Sequence, residues 1–152
     1  WTAHKTTINK LQFIDESTLV SASDDHSIRV WDLTTQTELT TCWNLGPVKD
    51  FAIAGTGTTR TLVAAVAEST SGRATVWTLT RGVKGWESEL SGEFLEHRRP
   101  VTSVAISSDG QTVVSGASDG TVFVWKANAM QVTDYASDIE GAIKKLSSKS
   151  EQ

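Results

Sequence analysis

Short apolar runs follow one another along most of this chain, separated every few residues by small polar clusters. The stretch LVSASDDHSIRVWD, residues 19–32, is an apolar run, a polar turn at Asp24-Asp25-His26, and a second apolar run ending in Trp-Asp. VVSGASDGTVFVWK, residues 113–126, repeats that plan. The runs are four to seven residues long and rich in β-branched side chains, which predicts strands rather than helices. In the first part they fall at about 7–13, 18–23, 27–32 and 37–43. Near the other end they fall at about 101–107, 112–117 and 121–126, joined by Ser-Asp-Gly at 108–110 and at 118–120. Asp-Gly between apolar runs is a strong hairpin signal, because glycine accepts positive φ at no steric cost. Successive antiparallel strands make a meandering sheet. Its inner strands are apolar at nearly every position, so both faces must be covered.

A repeat sets the length of the unit. Trp31, Trp77 and Trp125 recur at intervals of 46 and 48 residues. Asp25 and Asp119 stand six residues before the first and last of these tryptophans, and Ser21 and Ser115 stand ten before them. His4 lies four residues ahead of INKLQF (8–13), and His97 lies four ahead of VTSVAI (101–106). The middle copy is degenerate. VKDFAI (48–53) and TVW (75–77) match the first and third runs, Gly46 lies near the histidine place, and Ser71 takes the aspartate place. The aromatic ends Trp1, Trp43 and Phe94 align as well.

His4, Ser21, Asp25, Trp31 and Asp32 resemble the signature of a WD-repeat β-propeller blade. His97, Ser115, Asp119 and Trp125 resemble it again, with Lys126 in place of the final aspartate. The likeness covers about residues 1–126 and rests on Trp77 alone in the middle copy. It implies an all-β fold of β-propeller blades, each a four-stranded antiparallel meander, with blades at about 1–43, 44–96 and 97–135 and a tail at 136–152. It also implies that His4, Ser21, Asp25 and Trp31 form one hydrogen-bonded structural tetrad, and His97, Ser115, Asp119 and Trp125 a second. These clusters would fix the turns and satisfy buried polar groups.

The competing reading of the same residues is a Ser-His-Asp nucleophile system. That chemistry needs an exposed serine, a histidine base and an oxyanion hole. A serine inside a central strand, capped by an indole and present in two copies, does not meet the requirement. GTGTTR (55–60) is glycine-rich but links strand to strand, whereas a phosphate-cradling loop leads into a helix. One cysteine and three histidines, two of them already used, leave no metal-ligand cluster. The sequence therefore predicts no catalytic residue, no cofactor and no metal. The net charge of −4 gives no general basis for nucleic-acid binding. The single Cys42 rules out an internal disulfide framework and fits a reducing, intracellular compartment, cytoplasmic or nuclear. No apolar run is long enough to span a membrane.

In this family the histidine–aspartate end of the blades commonly receives peptide partners, which makes Lys5, Thr6, His26, Arg98, Arg99 and the surroundings of Gly46-Pro47 candidate contacts there. The stretch TRGVKGWESELSG (80–92) is far longer than the equivalent Thr-Thr-Gln-Thr turn at 34–37, so Trp86 is either a partner anchor or a cover for its own blade. AMQVTDYA (129–136) reads as the outer strand of the third blade. Residues 137–152 read as a short amphipathic helix, with Ser137 and Glu140 at capping-box spacing and Ile139, Ile143 and Leu146 on one face. Three blades cannot close a ring, so the rest must come from the same longer chain or from another chain. The chain begins mid-unit at Trp1 and ends in a tail, which predicts the closing part of a longer propeller, and the resemblance implies about seven blades in all. The functional expectation is a non-catalytic protein–protein interaction scaffold in a multiprotein complex. The alternatives are a subunit touching RNA through its basic loops or tail, or the regulatory propeller of a longer enzyme.

Overall fold

The computed structural model describes residues 1–129. Eleven strands form three antiparallel sheets, and each sheet follows chain order. The first contains β1 (Ile8–Phe13), β2 (Thr18–Ser23), β3 (Ser27–Asp32) and β4 (Thr37–Trp43). The second contains β5 (Val48–Ala54), β6 (Thr59–Ala67), β7 (Gly72–Gly82) and β8 (Gly85–Phe94). β9 (Val101–Ile106), β10 (Thr112–Ala117) and β11 (Val122–Lys126) make the third. A single 3₁₀ turn, Ala127–Ala129, follows. The expected outer strand at 129–136, apart from its first residue, and the expected helix at 137–152 lie outside the described residues.

The sheets stack face to face, and the same strand positions supply each contact. Val20, Ala22, Ile28, Val30 and Cys42 of the first sheet pack on Val48, Phe51, Leu62 and Leu79 of the second. Val63, Ala65, Ala74 and Val76 on the other face of the second sheet pack on Val101, Val104 and Val113 of the third. The pairs Val20↔Val30, Val63↔Val76 and Val114↔Val124 are equivalent across the three sheets. Strand alternation explains this: odd and even residues of one strand serve opposite neighbours.

Charge pairs at the inner strands lock the stack. The Lys10 ammonium donates to Asp50 Oδ1 at 2.7 Å and to the Phe51 carbonyl at 2.6 Å. The other oxygen of Asp50 accepts the Val104 backbone N–H at 3.1 Å, so one carboxylate ties three sheets together. Gly72 permits the close approach of the second sheet to the third. A Cβ there would stand 2.3 Å from the Val101 nitrogen.

The insertion at 80–92 is not a loop. β7 and β8 run on past the rest of the sheet to a two-residue turn, Val83-Lys84, flanked by the pair Gly82↔Gly85. Gly85 has φ of 116°, and a Cβ on it would meet Leu39 Cδ2 at 2.9 Å, so glycine is required there. The sequence pattern missed this because charged and polar residues on an extended, exposed hairpin carry little apolar alternation.

Candidate functional site

Two polar clusters lie inside the sheets. In the first, Trp31 Nε1–H donates to Ser21 Oγ at 2.8 Å, and Ser21 Oγ lies 2.6 Å from His4 Nε2. His4 Nδ1 stands 3.0 Å from Asp25 Oδ2. Since a carboxylate only accepts, Nδ1 carries the proton and Nε2 accepts from the serine hydroxyl. The Lys5 backbone N–H reaches Asp25 Oδ2 at 3.2 Å, and the Ser27 N–H and hydroxyl hold its other oxygen at 3.1 and 2.5 Å. Burial alone would raise the Asp25 pKa, but these donors outweigh it and hold the carboxyl far below the usual carboxylate range. Trp1 closes the cluster from outside, with its ring 5.3 Å from Trp31 and edge-on.

The third sheet keeps half of this arrangement. His97 Nε2 lies 2.8 Å from Ser115 Oγ, and Trp125 Nε1–H reaches the same oxygen at 3.3 Å. Asp119, however, does not bond to the histidine. Its Oδ1 is taken by the Thr121 N–H at 3.0 Å and the Thr121 hydroxyl at 2.7 Å. The Thr121 hydroxyl in turn lies 3.4 Å from His97 Nδ1. The expectation of a second tetrad like the first is corrected to a triad of His97, Ser115 and Trp125, with Asp119 one hydroxyl away. Aromatic rings take over the enclosure: Phe123 lies 4.8 Å and Phe94 5.9 Å from the imidazole, and Phe94 stacks on Trp125 at 5.3 Å. Burial lowers the His97 pKa, opposed by the Asp119 charge. Hydrogen bonds from Thr121 lower that of exposed Asp119.

In the middle sheet neither Gly46 nor Ser71 joins the indole. Trp77 Nε1–H donates to Thr75 Oγ1 at 3.2 Å, and the Thr75 hydroxyl donates to Asn44 Oδ1 at 2.8 Å. Asn44 stands four residues ahead of β5, the same offset that places His4 and His97, and that count would have found it. Thr75 had no comparable signal, because it replaces a serine of the neighbouring strand from a different place on the sheet. By strand register Cys42 matches Phe94, and Trp43 matches Leu95 on the opposite face. The aromatic alignment of Trp43 with Trp1 and Phe94 is therefore off by one residue. Burial pushes the Cys42 thiol up to about 12, so it is a small apolar filler.

The chemistry open to these clusters is limited. Ser21 and Ser115 are 1% and 0% exposed, and each oxygen already accepts an indole N–H. No acyl group can reach either hydroxyl. Among the described residues no three His, Cys, Asp or Glu side chains are placed to hold a metal ion. No described helix is long and apolar enough to cross a membrane.

Lys5, Thr6, His26, Arg98 and Arg99 are all exposed, on turns at the end that carries the clusters. His26 has φ of 71°, the left-handed geometry that Gly120 supplies at the matching turn with φ of 84°. Trp86 is elsewhere. Its side chain is 3% exposed, packed in the core between the first and second sheets, with Arg60 over its ring at 5.6 Å. Of the two readings of Trp86, partner anchor or cover for its own blade, its burial fits the cover and not the anchor: extension of the β7–β8 hairpin folds the indole inward.

The family described as WD domain, G-beta repeat, matches residues 1–32 and 88–126, the two segments that hold the histidine clusters. Over those two segments the chain is similar to the WD-repeat family. Its antiparallel sheets have the form of propeller blades, and WD-repeat domains are generally non-catalytic modules that bind proteins. The chain is 29% identical over 126 residues to apoptotic protease-activating factor 1 of Rattus norvegicus, covering 80% of this chain and 9% of that protein. It is 28% identical over 137 residues to restriction of telomere capping protein 1 of Clavispora lusitaniae, covering 80% of this chain and 12% of that protein. This chain thus spans about a tenth of the length of these relatives.

Proposed function

We propose that this chain is a section of a larger intracellular WD-repeat propeller that serves as a non-catalytic scaffold in a multiprotein complex. The observation that carries the reading is the burial of both serine–histidine pairs behind indoles: they hold turns in place and have no access to a substrate. What remains exposed at that end is a set of stiffly mounted loop residues, which suits recognition.

The outermost faces support the larger assembly. Leu11 and Phe13 of the first blade are 57% and 60% exposed, while their equivalents Phe51 and Ile53 pack on a neighbouring blade. Val122 and Val124 of the third blade are 63% and 69% exposed, while Ile28, Val30, Ala74 and Val76 at the same places are buried. Within the stack, faces of this kind are the ones that neighbouring blades cover. Further blades of the same longer polypeptide cover them in this reading.

Affinity purification of the full-length protein with crosslinking mass spectrometry tests the proposal. The expected result is protein partners crosslinked at Lys5 and near Arg98-Arg99, with recovery reduced at least about tenfold by a Lys5→Glu/Arg98→Glu/Arg99→Glu variant that melts like wild type. Partner recovery unchanged by that variant would remove this end of the blades as the binding surface. A hydrolytic activity abolished by Ser21→Ala or Ser115→Ala would overturn the scaffold reading.

A further inference from the structure

The repeated indoles of the three sheets donate to the hydroxyls of Ser21, Thr75 and Ser115. Trp86 breaks that rule. Among the described residues its Nε1 is the only buried side-chain nitrogen or oxygen without a hydrogen-bond partner. A buried donor left unpaired is costly, and folded proteins keep few of them. The ring covers its own blade, but that packing supplies no acceptor. It lies among apolar side chains of the first and second blades, with the Arg60 guanidinium over it at 5.6 Å.

Trp86 also forms part of the wall of a cleft of about 300 Å³ between those two blades, at the end away from the histidines. The β7–β8 hairpin contributes Arg81, Lys84 and Trp86, and the first blade contributes Ser17, Thr18 and Asp32. The two cations are poorly neutralised. Arg81 is 3.7 Å from Asp15 Oδ2, and its side chain is 56% exposed. Lys84 is exposed and makes no ion pair among the described residues. Asp32, the one acid in the wall, is already engaged: its Oδ1 accepts the Thr34 and Thr35 N–H groups at 2.8 and 3.3 Å. The larger cleft between the second and third blades, about 430 Å³, has no charged side chain in its described wall. The pairing of cations with an unmet donor therefore belongs to the extended hairpin.

We propose that this cleft is a docking site for a carboxylate carried by a partner peptide, which pairs with Arg81 and Lys84 and accepts the Trp86 Nε1–H. A carboxylate only accepts, and its two oxygens can serve a cation and an indole at once. Its single negative charge suits a wall of two cations and one anion, where a dianionic phosphate would be repelled by Asp32. Nε1 is covered by its neighbours, so an incoming oxygen reaches it as the hairpin tip yields. Little holds that tip, since Val83 is fully exposed and Lys84 is unpaired. This docking place rests on the reading of the chain as a protein-binding module, but not on the loops at the histidine end.

The test uses the full-length protein carrying Lys5→Glu/Arg98→Glu/Arg99→Glu, so that peptides held at the other end do not contribute. Three pools of short peptides, randomised without aspartate or glutamate, are passed over it. One has a fixed central glutamate and an amidated C-terminus, one has glutamine there with the same amide, and one has glutamine with a free C-terminal carboxylate. Retention of the first or the third pool at least about tenfold above the second is the expected result. Which of them is kept tells an acidic side chain from a chain end. Arg81→Gln should cut that preference at least about fivefold. Trp86→Phe, which keeps the ring and removes the N–H, should cut it as far while melting no lower than its parent. Equal retention of the three pools would overturn the proposal, and so would a preference unchanged by Trp86→Phe or by Arg81→Gln. Neither result bears on partner capture at the histidine end, which the crosslinking measures.

Discussion

The first and third blades carry the same four residue types, with serine, aspartate and tryptophan at the same spacing. The histidine stands 17 residues before the serine in the first and 18 in the third, and only the first closes the four into a tetrad. Asp25 is nearly buried and accepts from His4, Lys5 and Ser27, whereas Asp119 is exposed and accepts only from Thr121. The difference comes from what surrounds the imidazole. In the first blade the ring meets serine and aspartate. In the third, Phe123 and Phe94 enclose it, and the aromatic packing does the orienting that the carboxylate does elsewhere. The middle blade makes the same indole connection with Thr75 and Asn44 and has no titratable member. What the fold conserves across its three copies is a buried acceptor for an indole N–H. The histidine and aspartate are one way of orienting that acceptor.

The sharpest way to break the comparison is to remove the shared acceptor. Ser21→Ala leaves both the Trp31 N–H and His4 Nε2 without partners and should cost about 2–4 kcal/mol. Ser115→Ala, at a longer indole bond and a less buried Trp125, should cost about 1–2 kcal/mol. Denaturant midpoints in the same chain measure both, and equal losses would mean that the two clusters are energetically alike. The carboxylates come next. Asp25→Asn should destabilise by about 1–3 kcal/mol, since a charge-assisted network loses its anion. Asp119→Asn should leave the midpoint unchanged within error, because the carboxylate is in water.

Acid separates the two blades in a third way. His97 has a folded-state pKa below its unfolded value, so the unfolded chain takes up the proton first. The stability His97 contributes is complete above its unfolded pKa of about 6.5 and is lost as pH falls below that through the lower folded-state pKa. Asp25 also has a depressed pKa, and its contribution holds above about pH 4 and fails as pH falls further. The melting temperature against pH should therefore fall in two stages. His97→Asn should flatten the upper stage and Asp25→Asn the lower. Smaller effects than those of the serines lie in the turns. His26→Gly should raise stability by a few tenths to about 1 kcal/mol by relieving the left-handed strain that Gly120 avoids, whereas Gly120→Ala should lower it by about 1 kcal/mol.

Strand positions were legible in the sequence because each strand is inner or outer to a layered core, and burial on alternate faces writes itself into the residue pattern. The tryptophan, serine and histidine places were legible because a buried indole N–H needs an acceptor at a fixed distance along the neighbouring strand. Three things were not legible: that Asp119 turns to Thr121, that Thr75 takes over as the indole's acceptor, and that residues 80–92 form an extended hairpin. Each depends on which side chains meet across strands far apart in the chain. Spacing along one strand fixes which face a residue occupies; the neighbouring strand decides what it finds there. By itself the chain determined its blades and their repeat, because local alternation and turn chemistry act within a few residues. Only the packed sheets decided which polar groups close on one another, because that choice is made by the volume and aromatic cover left between them.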